Sequence, residues 1–263
     1  MTTHTTRQTI DYQTGNSRPA SFLQQVANQV RYEVLLTLRR GENILVTLIV
    51  PVMLLIFFTS LNIVPAVNGS AINFLLPGIL AIAIIAAGMV NLGIATAYER
   101  YYGVLKRLGS SPLPRSGLII AKVISILLLE ILQVILLIGI ALLLYKWHPT
   151  GSFPVTVLAI VLGTVTFAAF GLAMAGALRA ELTLAGANAL FLAFILLGGG
   201  ILPLDHLPAP LAAFSEILPS TALTQALQAA MTQGATFPVF PIFVLAVWTV
   251  IVLAVAIRTF KWE

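Results

Sequence analysis

The sequence predicts an all-α protein threaded repeatedly through a membrane, with six crossing helices and one long charged loop between the second and the third. Three observations carry that reading. Of 263 residues, 59% are hydrophobic and 9% charged, and the mean hydropathy is +1.01; a soluble domain carries about a quarter charged residues. Six apolar stretches follow one another, each near or above the ~20 residues that cross a hydrocarbon core. Lysine and arginine gather in alternate connections, the bias that orients membrane proteins. The net charge of +5 would suggest nucleic acid in a soluble chain, but here the basic residues are read by the side of the membrane they occupy. Cysteine is absent, which excludes disulfides, thiolate nucleophiles and Cys-held metals.

Residues 1–20 are rich in Thr, Gln, Asn and Ser without an apolar period, and read as a disordered cytoplasmic tail. Over 21–40 the pattern changes. Phe22, Leu23, Val26, Val30, Val34 and Leu38 share one side of a helical wheel, with Gln24, Gln25, Asn28, Arg31 and Arg39 opposite. This predicts an amphipathic helix lying in the membrane interface, although Glu33 intrudes on its apolar side. The spans are expected over 44–64, 71–97, 117–145, 154–178, 182–202 and 238–257. Pro51 should kink the first, since proline removes a helical hydrogen bond. Between them lie the charged loop 98–116 and a longer connection, 203–237. Within 203–237, Leu211, Phe214, Ile217 and Leu218 have helical spacing, Pro219 interrupts it, and a second helical run follows over 221–231. Two short helices against the outer face fit that pattern, after a glycine run at 198–200 that weakens the end of the fifth span.

Orientation follows from charge. With the N-terminus in the cytoplasm, that side receives Arg31, Arg39, Arg100, Lys106, Arg107, Arg115, Arg179 and Arg258, with both termini inside, and Lys146 is left outside. The chain is therefore expected in the cytoplasmic (inner) membrane, multi-pass.

No catalytic constellation is visible. The nucleotide-binding pattern GxxxxGK[ST] does not occur. His4, His148 and His206 are scattered, so no metal site is expected, and the serines lack a His and Asp to activate them. Glu130 stands alone near the middle of the third span, with Gln133 one turn on. A charge there costs about 2.5–3.5 kcal/mol on insertion scales, so it either lines a polar path or hydrogen-bonds between helices, with Asn91 or Asn188 as candidate partners. Ala83 and Ala87, and Ala169, Ala173 and Ala177, recur every fourth position, which permits close helix approach.

The stretch Tyr98-Glu-Arg-Tyr-Tyr-Gly-Val-Leu-Lys-Arg-Leu108 with Pro112-Leu-Pro114 resembles the cytoplasmic loop between the second and third spans of ABC-2 type ABC-transporter permeases. Gly199-Gly-Ile-Leu-Pro-Leu204 with Leu207-Pro208, then Leu218-Pro-Ser-Thr-Ala-Leu223, resembles that family's outer region before the last span. The loop is closer to the daunorubicin-resistance-like drug exporters than to the polysaccharide exporters of the family. The resemblance implies one transmembrane domain over 21–263: a permease subunit of an exporter, paired with a second permease subunit, identical or different, and surrounded by lipid. No cofactor is implied in this chain; ATP and magnesium would belong to separate ATPase subunits. Carried across, Glu99, Arg100, Gly103, Lys106 and Arg107 belong to a coupling helix seated on the ATPase, and Asn91, Glu130, Asn188 and Phe191 are candidates for the substrate path. The loop as one helix over 98–107 would align Glu99, Gly103 and Lys106 or Arg107 along a single side. Two other classes compete: a proton-coupled secondary transporter using Glu130, and a membrane-embedded lipid-modifying enzyme. The first should show inverted repeats, which the sequence lacks; the second lacks a partner residue for Glu130.

Overall fold

A computed structural model describes residues 20–39, 41–61, 70–110, 112–232 and 236–259, with the backbone alone for 42–44. All but Ala20 of the expected tail lies outside these residues. Among them the chain forms ten α-helices and no strand element: α1 (Phe22–Arg39), α2 (Gly41–Leu61), α3 (Ile72–Tyr101), α4 (Val104–Gly109), α5 (Arg115–Tyr145), α6 (Phe153–Ala177), α7 (Ala180–Leu197), α8 (Ala209–Glu216), α9 (Pro219–Met231) and α10 (Val239–Thr259). Five of them, α3, α5, α6, α7 and α10, are long and apolar enough to cross a membrane. Helix α2 carries a shorter apolar run, Leu45–Leu61, and the expected end of that span at 62–64 lies outside the described residues.

Helix α3 is the axis of the bundle. From Leu75 to Ile85 every side of it is buried, as expected of a helix apolar all round. Its closest neighbour is α6, and the two backbones nearly touch. A Cβ added to Gly93 would lie 2.8 Å from Gly171 Cα, and one on Gly171 would lie 2.7 Å from the Gly88 carbonyl oxygen. The alanine spacing pointed to the right helices, but glycines make the tightest contact, because only a residue without Cβ permits that distance. At the same level α3 widens into a π turn over Ala86–Asn91, where Leu92 N–H reaches back to the Ala87 carbonyl. The extra residue of a π turn resets the phase of the helix. Asn91 lies immediately before the return to α-helix.

At one end of the bundle, called here the loop end, α3 and α6 finish and α5 and α7 begin. Thr259 Oγ1 of α10 donates to the Ala173 carbonyl, so the last helix finishes there as well. At the far end, α7 stops at Leu197 rather than running to 202. Gly198 caps it, Gly199 takes φ +67°, and Gly200 packs on Gly78. A turn at Leu204–His206 leads into α8, and Pro219 occupies the first turn of α9, where its missing N–H costs no hydrogen bond. Helix α8 leaves Leu211 and Phe214 exposed, as is its capping residue Ile217, but α9 does not lie on a face as expected. It enters the core, burying Leu223, Ala226 and Leu227 among side chains of α3 and α6. Two of its threonines are satisfied, Thr221 Oγ1 donating to the Leu197 carbonyl and Thr224 Oγ1 to the Ser220 carbonyl, so neither leaves an orphan hydroxyl in the core.

Candidate functional site

The charged loop begins inside a helix. Tyr98 to Tyr101 continue α3 for a turn beyond the expected span end, and the chain then reverses at Gly103, which takes φ +72° and ψ +13°. Gly103 N–H donates to the Arg100 carbonyl at 3.0 Å and Tyr102 N–H to the Tyr98 carbonyl at 2.9 Å, the pattern in which a left-handed glycine closes a helix. A single helix over 98–107 is therefore excluded, because a left-handed residue cannot continue a right-handed helix. A Cβ at Gly103 would meet nothing within 4 Å; within this chain the glycine is required by φ, not by crowding.

This break sorts the five loop residues. Glu99 turns inward, its Oε2 accepting from Lys122 Nζ of α5 at 2.7 Å. The same ammonium lies 3.0 Å from Glu33 Oε1 of α1, and Gln29 Nε2 donates to that oxygen, also at 3.0 Å. Lys122 is 1% exposed. Removing one partner from a buried charge set of this kind costs about 3–5 kcal/mol, because the remaining charge is left uncompensated. Arg100 also turns inward. Its guanidinium donates to the Gly176 carbonyl at 2.7 Å and to the Leu178 carbonyl, placing a cation where the helix dipole of α6 ends negative. Lys106 and Arg107 are exposed on α4, which is pinned beneath by buried Leu105 in a cluster with Val26, Leu113 and Leu118.

Between α1, α2, α3, α5 and α7 lies a cavity of about 940 Å³. Its walls are mainly aliphatic, with Phe191 of α7 on one side. Polar groups cross it at one level: Asn91 Nδ2 donates to Thr47 Oγ1 at 3.1 Å and Gln133 Nε2 to the Thr47 carbonyl at 2.7 Å. Its loop end is lined by Glu33, Lys122, Glu99, Tyr98 and Tyr102, the two tyrosine rings stacked with centroids 6.1 Å apart. Of the four residues expected along a substrate path, Asn91, Asn188 and Phe191 line this cavity and Glu130 does not. Asn188 is bonded to its own helix, donating to the Leu184 carbonyl at 2.8 Å. Glu130 faces α6, where its Oε2 meets Thr164 Oγ1. Neither Asn91 nor Asn188 is its partner.

The residues to which sequence reasoning gave no functional role are Glu33, Lys122 and Thr47. The first two did leave a signal. Each is a charge on an otherwise apolar surface, of opposite sign, and in lipid two such intrusions are cheapest when they meet. Thr47 left none, since its neighbours are reached through a backbone carbonyl and a hydroxyl.

Five membrane-length helices, a loop wired into the end of their bundle and a cavity beside it fit a polytopic membrane transport protein. The family model for ABC-2 type transporters matches residues 24–232, and the chain belongs to that family. Among curated proteins, it is similar to the "Probable multidrug ABC transporter permease YbhS" of Escherichia coli strain K12, 26% identical over 171 residues, and equally to the protein of that name in Escherichia coli O157:H7. The similarity covers 64% of this chain and 45% of either relative.

Proposed function

We propose that the chain is the transmembrane permease subunit of an ATP-driven exporter that moves a hydrophobic or amphipathic molecule, a drug, lipid or glycolipid, out across the cytoplasmic membrane. ATP and magnesium are handled by separate ATPase subunits, and a second permease subunit, identical or different, completes the transporter. The observation that carries this reading is the cavity. At about 940 Å³ it falls within the ~300–1,000 Å³ of sites that enclose drug-sized ligands, and its aliphatic walls with a few fixed polar groups suit an apolar body bearing a polar part. The loop supports the partner. Glu99 and Arg100 serve the interior of the permease, which leaves the exposed Lys106 and Arg107 of α4 as the surface offered to an ATPase.

The reading that makes Glu130 a proton carrier for secondary transport finds no support in the geometry, because Glu130 is packed against α6 away from the cavity. An enzyme acting on lipid through Glu130 is unsupported for the same reason. The test is uptake of a fluorescent lipophilic dye into inside-out vesicles carrying the permease with its ATPase. Uptake should require ATP and the ATPase, and reversing both charges with Lys106→Glu and Arg107→Glu should abolish ATPase co-purification while leaving the permease inserted. Dye uptake driven by a proton gradient without the ATPase would overturn the proposal.

A further inference from the structure

We infer that Lys122 is a positioning residue that fastens α1 and the loop-bearing end of α3 to α5, so that a displacement of the loop is delivered to α1 and to the loop end of the cavity together. The loop is handed into the bundle by two adjacent side chains. Arg100 passes it to the junction of α6 and α7, through the Gly176 and Leu178 carbonyls. Glu99 passes it to α5 through Lys122, and Lys122 holds a second carboxylate, Glu33 of α1, on the same nitrogen. An ammonium offers three donors on a compact charge, and two of them here join elements 66 positions apart in sequence, from Glu33 to Glu99.

The arrangement is specific in several respects. Lysines in membrane helices commonly extend toward water, whereas this one is 1% exposed and directed at two carboxylates. Glu33 is itself held in place by Gln29 one turn earlier. The Gly103 turn, bonded back to Tyr98 and Arg100, leaves no slack between α4 and Glu99. Apolar packing of Val26, Leu105, Leu113 and Leu118 also joins these elements, but such contacts tolerate sliding, while two ion pairs on one nitrogen fix the register. All three charged residues line the cavity, so whatever moves Glu99 reshapes it. The consequence for transport rests on the permease reading; the mechanical linkage does not, and it is tested on the permease alone.

The chain contains no cysteine, so spin labels can be placed without altering it elsewhere. One pair of labels, at Asn28→Cys and Ser110→Cys, spans α1 and the loop; a second, at Ser110→Cys and Leu182→Cys, spans the loop and α7. All three positions are exposed. In lipid nanodiscs, pulsed dipolar spectroscopy should give one narrow distance peak for each pair. Lys122→Met should abolish the narrow peak of the first pair and keep that of the second, which depends on Arg100. The charge-exchanged triple variant Glu33→Lys, Glu99→Lys and Lys122→Glu, which sets two ammoniums on one carboxylate, should restore the first peak, an outcome that a general loss of packing would not give. A narrow first peak in folded Lys122→Met protein would overturn the inference. If that variant does not insert, Glu33→Gln decides: it keeps the Glu99 pair and should broaden only the first distance, and an unchanged first distance there overturns the inference equally.

Discussion

Thr164 carries one hydroxyl proton and faces two acceptors, the Ile160 carbonyl at 2.8 Å and Glu130 Oε2. The hydroxyl thus bridges its own helix and Glu130, holding the carboxyl between α5 and α6. Glu130 Oε1 has no hydrogen-bond partner among the described residues. A Glu130 bonded between helices makes a definite set of expectations. Glu130→Gln should change stability by no more than about 1 kcal/mol and leave transport intact, whereas Thr164→Val, which strands the carboxyl, should cost about 1–3 kcal/mol. Combining Thr164→Val with Glu130→Met should recover most of that loss, since removing both partners leaves nothing unpaired. Thermal unfolding of the wild type and these three variants in one detergent reads the expected order. Gly103 gives a second expectation at this scale. Gly103→Ala should cost roughly 1 kcal/mol through its left-handed backbone and weaken the hold of the loop, measurable as faster proteolysis near residue 103, although no atom lies in the way of the new methyl group.

Among the helices, the contact of α3 with α6 admits the least change. Gly171 lies against two carbonyls of the π turn, those of Gly88 and Met89, at 2.7 and 2.8 Å from where its Cβ would sit. Both are backbone atoms and cannot rotate aside. Gly171→Leu should therefore force the helices apart at the cost of at least the ~1–3 kcal/mol typical of overpacking, and should lower both yield and thermal midpoint. Gly139→Leu, on α5 where nothing lies within 4 Å, should do neither. This contact also marks where the sequence stopped being readable. Five of the six expected spans, with their caps and breaks, were legible because proline, glycine and apolar runs act locally, so Pro219 opened α9 and Gly198 closed α7 close to expectation. The π turn was not legible, since it adds one residue to a helix whose composition stays apolar throughout. Nor was the burial of α9, whose Leu223 fills the room left by Gly163 of α6. In the candidate site, Asn91, Asn188 and Phe191 could be found as polar or aromatic interruptions of spans. The loop was found as a charged stretch, but its division into inward Glu99 and Arg100 and outward Lys106 and Arg107 required the turn at Gly103 to be recognised as left-handed.

For the molecule as a whole, charge separates the two ends. Lys106 and Arg107 in the loop, Arg115 at the start of α5, Arg179 between α6 and α7 and Arg258 in the last turn of α10 share the loop end, while Lys146 follows α5 at the far end. Arginine and lysine in short connections are retained on the cytoplasmic side during insertion, so the loop end should face the cytoplasm. The proposed function depends on this, because an ATPase supplied with cytoplasmic ATP can reach α4 only from that side. Native cysteine is absent, and a single engineered thiol therefore reports one position without background. Ser110 beside α4 and His148 beyond α5 are both exposed and lie at opposite ends of the bundle. In intact cells a membrane-impermeant maleimide should label His148→Cys and leave Ser110→Cys unmodified until the membrane is opened. The reverse pattern would place Lys106 and Arg107 outside, remove any route for ATP-driven coupling through α4, and leave the cavity of an ABC-2 family member without the drive proposed for it.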